Sequence, residues 1–319
     1  MASVRENILG STQARDKYLQ GVVALNQEMR GITAQDVFQF LQDNSIPLPM
    51  QGINQQLSTY DLFVLWHVVA MSIPIPPGNA AHSAPIFLPW HRLYLIRLEE
   101  ELQRVLGDNT VGLPYWDWAA DGELPVNDQW QTQLWNQNHL GEARGQLQSG
   151  TLNAMRVRLY QNPMNGTLLS IQPRQITREG GLDADFSVLP TKSGVQQALD
   201  ETDYDDFPWS QSSIGHRNRL EGWIEGPQLH NLVHVWIGGD MAPGTSPNDP
   251  VFFLNHCNVD RIWEAWMGEN GRVYAPVANQ GPAGHRVNDL MVAILGEALR
   301  PSDVLDPAQW YSYDSLTVA

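Results

Sequence analysis

Apolar residues recur at steps of three and four along several segments of the chain, which is the spacing of one face of an α-helix. The first segment has a capping-box-like start, STYD at 58–61, and continues as an apolar run from Leu62 to Ala70 that contains His67. The second begins at Pro89, a residue suited to the first helical turn, and ends before Gly107. Its inward stripe consists of His91, Leu95, Leu98, Leu102 and Val105.

Two further helices are predicted in the second half of the chain. A short helix from Pro227 to Gly238 places His230 and His234 one turn apart on the same face, where both can reach one ion. The last helix opens at Asp249-Pro250, a good cap and first-turn pair. Its inward stripe consists of Phe252, His256, Val259, Trp263 and Trp266.

These patterns predict a mainly α fold, a four-helix bundle with long loops and few short strands. Residues 108–226 are predicted to be loops with short helices, and the acidic stretch from Glu201 to Asp206 to be a solvated surface. The Pro-rich stretches 73–89 and 243–250 are predicted to be ordered loops. Because 42% of the 319 residues are hydrophobic and no repeat or linker divides them, we expect residues 1–319 to form one domain.

The formal charge of −16 disfavours nucleic acid and anionic membranes as partners, since binding to either depends on clustered Lys and Arg. The N-terminus lacks the apolar core of a signal peptide, and no run of about 18 apolar residues occurs. We therefore expect a cytoplasmic protein without a membrane partner, with export alongside a partner protein left open. Cys257 is the one cysteine, so any metal must be held by histidine or carboxylate.

Six of the nine histidines fall on or beside the inward stripes. Each alone is weak evidence for a metal, because a histidine on an apolar helix face is usually a core residue. Six together are stronger evidence, because burying so many imidazoles without partners would cost about 1–3 kcal/mol for each unsatisfied atom. Imidazole ligands suit copper, zinc or ferrous iron, and two sets of three indicate two ions. The six are His67, His82, His91, His230, His234 and His256, whereas His139, His216 and His285 lack such placement.

Two long motifs resemble the copper signatures of the type-3 copper proteins, specifically tyrosinases and catechol oxidases. They are HSAPIFLPWHR from His82 to Arg92, continuing to Glu99, and DPVFFLNH from Asp249 to His256, followed by Asp260. The segments LPYWDW at 113–118 and NRLEGW at 218–223 extend the resemblance over most of the chain. It implies a first copper held by His67, His82 and His91, a second held by His230, His234 and His256, and dioxygen as co-substrate.

The resemblance also implies the reaction, namely ortho-hydroxylation of monophenols and oxidation of o-diphenols to o-quinones. A phenol has a pKa near 10, so a base must take its proton before it can bind copper as phenolate. Glu221 and Asn231 match positions associated with this step in bacterial tyrosinases, where the carboxylate orients a water. The alternative is that Glu221 is a solvated carboxylate and Asn231 a routine polar neighbour.

Other features of the family concern how the catalytic core is held together and whether the enzyme needs activation by proteolysis. Tyr311 and Tyr313 resemble the motif that closes the catalytic core, with Arg5 as its cationic partner. No C-terminal blocking domain is expected after them, so no proteolytic activation either. Ala80 stands where some relatives carry a cysteine that forms a thioether to the second histidine, and Cys257 is expected to be a buried thiol.

Four alternative functions share part of this pattern. A catechol oxidase or an o-aminophenol oxidase would share all six ligands, and a hemocyanin-like oxygen carrier would share the binuclear site. A zinc hydrolase is disfavoured because Asn231, not Glu, follows His230. Asp260 could accept a hydrogen bond from a ligating imidazole or pair with Arg92 or Arg261. Small phenols are expected to reach the second copper past the loop Met241–Pro247, where Pro243, Gly244 and Thr245 offer little bulk. Copper loading by a helper protein is left open.

Overall fold

A computed structural model describes residues 2–224, 226–277 and 279–318. The α-helices are α1 (Thr12–Gln27), α2 (Ala34–Asp43), α3 (Thr59–Ser72), α4 (Phe87–Leu106), α5 (Trp118–Gly122), α6 (Val126–Gln129), α7 (Lys192–Leu199), α8 (His216–Glu221), α9 (Leu229–Ile237), α10 (Val251–Asn270) and α11 (Pro301–Val304). The strands are β1 (Ser3–Arg5), β2 (Met29–Thr33), β3 (Met50–Gly52), β4 (Gln56–Ser58), β5 (Pro74–Ile75), β6 (Gly78–Asn79), β7 (Gly145–Gln146), β8 (Val157–Gln161), β9 (Leu168–Arg174), β10 (Thr177–Arg178) and β11 (Tyr311–Tyr313). The fold is mainly α with short strands, as predicted.

Helices α3, α4, α9 and α10 form the centre of the molecule. α4 packs against α10 and α1, α1 also packs against α3, and α9 packs against α10. α3 is buried on every side from Thr59 to Ala70, which explains why its sequence is an unbroken apolar run and not a stripe. None of the described helices combines the length and the apolar character needed to cross a bilayer.

The helix ends follow local rules, with small shifts from the predicted positions. Ser58 and Asp61 form the predicted capping box of α3, and Gly107 ends α4 in the left-handed conformation. α4 begins at Phe87, two residues before Pro89, because the first turn of a helix has no intrahelical N–H bonds to lose and therefore accepts proline. α9 begins two residues after Pro227.

Small sheets attach the loops to this helical centre. β9 pairs with β8 in antiparallel and with β3 in parallel orientation, and β8 packs against α3. β1 runs parallel to β11, with Arg5 opposite Tyr313, so the two ends of the described chain are joined. The Arg5 guanidinium lies 3.3 Å from the centroid of the Tyr311 ring, which is the pairing expected from the tyrosine motif.

Asp260 lies in a buried network of charged and tyrosine side chains and does not accept a hydrogen bond from the six histidines among the contacts described. It accepts hydrogen bonds from Arg92 Nε at 2.6 Å, from Arg5 Nη1 at 3.3 Å and from the Tyr313 hydroxyl at 2.6 Å. Of the alternatives left open by the sequence, the pairing with Arg92 is therefore the one observed. These arginines hold the pKa of Asp260 below its usual value against the opposing effect of burial. Cys257, next to this network, is a buried free thiol as expected.

Candidate metal centre

The six histidines singled out from the sequence meet at the centre of the helical core in two groups of three. His67, on α3, and His91, on α4, join His82 from the loop before α4. His230 and His234, on α9, join His256 from α10. In each group one ring nitrogen per residue lies within 4.8 Å of the others. The two groups touch, because the rings of His91 and His256 stack with centroids 4.1 Å apart.

Hydrogen bonds at Nδ1 orient most of these rings. A ring that donates its Nδ1 proton to an oxygen carries a free lone pair on Nε2, and this is the atom that can bind a metal. Four of the six rings have such a bond. The pairs are His67 Nδ1 with Gly244 O at 2.6 Å, His91 with Phe87 O at 2.8 Å, His230 with Asn231 Oδ1 at 3.0 Å and His234 with Met241 O at 2.8 Å.

In the group from α9 and α10, the inward-facing ring nitrogens are spaced as the ligands of one metal ion would be. His256 Nε2 lies 3.2 Å from His230 Nε2 and 3.5 Å from His234 Nε2. Imidazoles bound tetrahedrally to one ion at about 2.0 Å would place their nitrogens about 3.3 Å apart. In the other group, Nε2 of His67 and of His91 is buried without a hydrogen-bond partner. An ion in each group would satisfy these atoms.

The surroundings keep these imidazoles neutral, which is the form that binds a metal. Burial lowers the pKa of all six, to about 3 for His67 and to about 4 for His234. The neighbouring histidines lower most of these values further, since two imidazolium ions this close would repel. Phe252 is packed against both groups, with its ring centroid 4.2 Å from that of His256 and 4.9 Å from that of His67.

An open cavity of about 330 Å³ leads from the surface to both groups. Its polar lining includes Asn79, Ser83, Asn231 and Ser246, and its apolar lining consists of Met71, Trp223, Pro227, Val235, Ala242 and Pro243. Ala242, Pro243 and Ser246 of the predicted entry loop therefore line the cavity. The placement of Gly244 and Thr245 at the mouth was wrong. Gly244 faces the Gln161 side chain, and Thr245 is buried and accepts a hydrogen bond from the Gln161 backbone.

Glu221 and Asn231, the two proposed catalytic residues, lie at different depths. Asn231 lines the cavity and donates to the Gly222 carbonyl at 3.1 Å. Glu221 is fully buried behind the cavity wall, so the alternative of a solvated carboxylate was wrong. Its Oε1 accepts from the Ser83 backbone N–H at 2.6 Å and its Oε2 from Arg217 at 3.0 Å. Burial raises the pKa of Glu221, and the nearby Arg217 opposes that effect.

No pattern in the sequence indicated Asp205 and Arg217, which support this wall. The acidic stretch 201–206 was predicted to be solvated, but Asp205 is buried and pairs with Arg217 Nε at 2.7 Å. A run of acidic residues does not reveal which member turns inward, because the arginine lies 12 positions away beyond a loop. The remaining histidines lie outside the metal centre; His216, for example, stacks on Trp266 with centroids 4.7 Å apart.

Comparisons with known proteins agree with this geometry. Residues 57–269 match the family model for the common central domain of tyrosinase. The chain belongs to the tyrosinase family. It is 38% identical over 259 residues to the tyrosinase of Streptomyces glaucescens, an alignment that covers 80% of this chain and 89% of that protein. Tyrosinase-family proteins carry a binuclear copper site, and the two histidine groups are suited to hold it.

Solved structures share the fold of this tyrosinase-family chain. A polyphenol oxidase from Thermothelomyces thermophila superimposes with a TM-score of 0.70 at 20% identity, covering 98% of this chain and 89% of that one. A functional unit of octopus hemocyanin superimposes with a TM-score of 0.57 at 20% identity, covering 99% and 69%. At these identities the likeness concerns the fold.

Proposed function

We propose that this protein is a copper-dependent phenol oxidase that hydroxylates monophenols at the ortho position and oxidises o-diphenols to o-quinones with dioxygen. The observation that carries the proposal is the pair of buried histidine groups at the inner end of an open cavity. The cavity lies within the size range of small-molecule sites and has a largely apolar lining, which suits an aromatic ring.

The grouping of the six histidines supports the ligand assignment. His67, His82 and His91 would hold one copper ion, and the second would be held by His230, His234 and His256. When bound, the two ions supply the binding and reduction of dioxygen and the transfer of oxygen to the phenol ring. The protein holds the ring between the apolar walls and keeps its oxygen toward the histidines.

Glu221 and Asn231 would assist the loss of the phenol proton through a water in the cavity. Asn231 borders the cavity directly. The carboxylate of Glu221 accepts hydrogen bonds from Ser83 and Arg217, and with about four acceptor positions it retains capacity for a water. Its raised pKa makes it a stronger base than an exposed glutamate.

A catechol oxidase or an o-aminophenol oxidase would use the same ligands and remains the second candidate. Hemocyanin-like oxygen binding is a weaker candidate, because the cavity gives organic molecules a path to the histidines. Cytoplasmic location, the single-domain organisation and a copper-loading helper remain proposals from the sequence.

Copper titration followed by assays tests this function. Copper-free protein should take up two equivalents and then convert both a monophenol and a catechol to coloured quinones. His256→Asn should bind one equivalent and be inactive, whereas His139→Asn, which changes a histidine outside the groups, should bind two. Uptake of fewer than two equivalents by the unmodified protein would contradict the copper site. Two equivalents with quinone formed from catechol alone would favour the second candidate.

A further inference from the structure

Of the six histidines, His82 is the one carried by a loop, residues 80–86, named here the His82 loop. Its ring Nδ1 is buried without a hydrogen-bond partner, whereas His67 and His91 of the same group are fixed by backbone carbonyls. Neither a helix nor a ring hydrogen bond therefore sets the direction of His82 Nε2. The position of this ring depends on how the His82 loop itself is held.

The Asn79 side chain holds the start of the His82 loop, since its Oδ1 accepts from the His82 backbone N–H at 2.8 Å. Three further hydrogen bonds come to the His82 loop from one neighbouring region, α8 and the loop before it. Glu221 Oε1 accepts from the Ser83 backbone N–H at 2.6 Å, and Gln211 Nε2 donates to Ser83 Oγ at 2.9 Å. The Tyr204 hydroxyl donates to the Pro85 carbonyl at 2.7 Å. Ser83 has a φ of 62°, a conformation that a serine adopts rarely and that such anchors must maintain.

The Arg217 side chain contacts the chain segments that supply all three hydrogen bonds. It is fully buried, and its guanidinium donates from Nε to Asp205 at 2.7 Å, from Nη2 to the Ser210 carbonyl at 3.0 Å and from Nη1 to Glu221 at 3.0 Å. Of these partners, Glu221 is itself an anchor of the His82 loop. Asp205 and Ser210 are the chain neighbours of the other two anchors, Tyr204 and Gln211. A planar group with five donors can hold three partners at fixed angles, which the single ammonium of a lysine cannot do.

We propose that Arg217 is a positioning residue for the first copper: it orders the three anchors of the His82 loop and thereby aims His82 at the ion. The proposal rests on the ligand assignment given under Proposed function. Arg217 touches no histidine of either group among the contacts described. Glu221 links Arg217 to both histidine groups through different atoms. Its side chain accepts from Ser83 in the His82 loop, whereas its backbone carbonyl lies 3.2 Å from His230 Nδ1 in the other group. Changing Arg217 should consequently affect the first copper more than the second.

The test compares Arg217→Met with Arg219→Met, which removes another paired arginine from the same helix. Arg219 binds Glu201 and makes no hydrogen bond to the His82 loop among the described residues. Cuprous copper is titrated into copper-free protein against a chelator of known affinity, and hydrogen exchange is measured for the peptide that contains Ser83. In Arg217→Met one equivalent should bind about 10–100-fold more weakly, the usual effect of losing a residue that supports a ligand, while the other changes little. Exchange at Ser83 should accelerate. Arg219→Met should match the unmodified protein in both readouts.

Removing Arg217 leaves Asp205 and Glu221 buried without their cation, so Arg217→Met could fail to fold. The double variant Tyr204→Phe with Gln211→Ala removes two anchors and leaves all three charges in place. In this variant one equivalent of copper should bind more weakly, and hydrogen exchange at Ser83 should be faster. Equal weakening of both equivalents, or unchanged exchange at Ser83 in the folded variants, would overturn the proposal. Fewer than two equivalents in the unmodified protein would instead overturn the copper site itself, which keeps the two failures distinct.

Discussion

At the residue scale, Glu221 separates the two reactions proposed for this protein. A monophenol must lose a proton that is poorly acidic, whereas a catechol binds copper more readily because its two adjacent hydroxyls can share the ion. Glu221→Gln keeps the size of the side chain and an oxygen for the Ser83 N–H, but it removes the charge that can accept a proton. Hydroxylation of 4-methylphenol should fall about 100-fold, and oxidation of 4-methylcatechol should fall far less. Initial rates at saturating copper measure both.

Glu201→Gln is the matched control for this substitution, because Glu201 also pairs with an arginine of α8 but lies away from the cavity. Both rates should remain unchanged in that variant. If Glu221→Gln slows the two reactions equally while copper uptake stays complete, Glu221 has no part in the removal of the phenol proton.

The residues of the site differ in how far the sequence could predict them. The histidines lie in long motifs or on helical stripes, so their meeting could be inferred before the structure was known. The partner of the His67 Nδ1 atom could not, because it is the backbone carbonyl of Gly244, 177 positions away. Backbone carbonyls carry no residue identity, and only the fold decides which of them faces a ring.

At the element scale, a capping box begins α3, the helix that carries His67. Ser58 and Asp61 form a capping box that is buried, and Asp61 also binds Arg158 at 3.2 Å. Ser58→Ala should lower the free energy of unfolding by about 1–2 kcal/mol, because it removes a cap and leaves a buried carboxylate with one partner fewer. Chemical denaturation of the copper-free protein measures the loss.

Thr33 supplies the comparison, since it forms the same capping box with Asp36 at the exposed start of α2. Water can replace the lost bonds there, so Thr33→Ala should destabilise the protein less than Ser58→Ala. Equal losses would mean that burial adds nothing to the cap of α3.

The ends of the helices show where rules based on neighbouring residues are sufficient for prediction. The α3 capping box and the glycine at the end of α4 were predicted at the right positions, because both depend on neighbours in the chain. The pairing of β3 with β9 was not predicted, since Met50 and Leu168 lie more than a hundred positions apart and each strand is short. Residues 108–226 contain such strands as well as the loops and short helices that the sequence indicated.

At the scale of the whole molecule, charge and the apolar cavity act on substrates in different ways. The net charge of −16 produces a negative potential around the protein that extends for about 30 Å at 0.01 M salt and about 8 Å at 0.15 M. This potential repels an anionic phenol before it reaches the cavity. A neutral phenol does not experience it and gains from contact with Trp223, Val235 and Pro243.

Salt should therefore change the selectivity among phenols that differ mainly in charge. When the ionic strength rises from about 0.01 M to about 0.15 M, kcat/KM should rise several-fold for 3-(4-hydroxyphenyl)propionate, fall for tyramine and stay within about twofold for 4-ethylphenol. Steady-state rates across a salt series measure all three. Parallel changes for the three substrates would mean that salt acts on the enzyme and not on the approach of charged phenols. The neutral phenol provides this control, because its encounter with the protein contains no net electrostatic contribution for salt to screen.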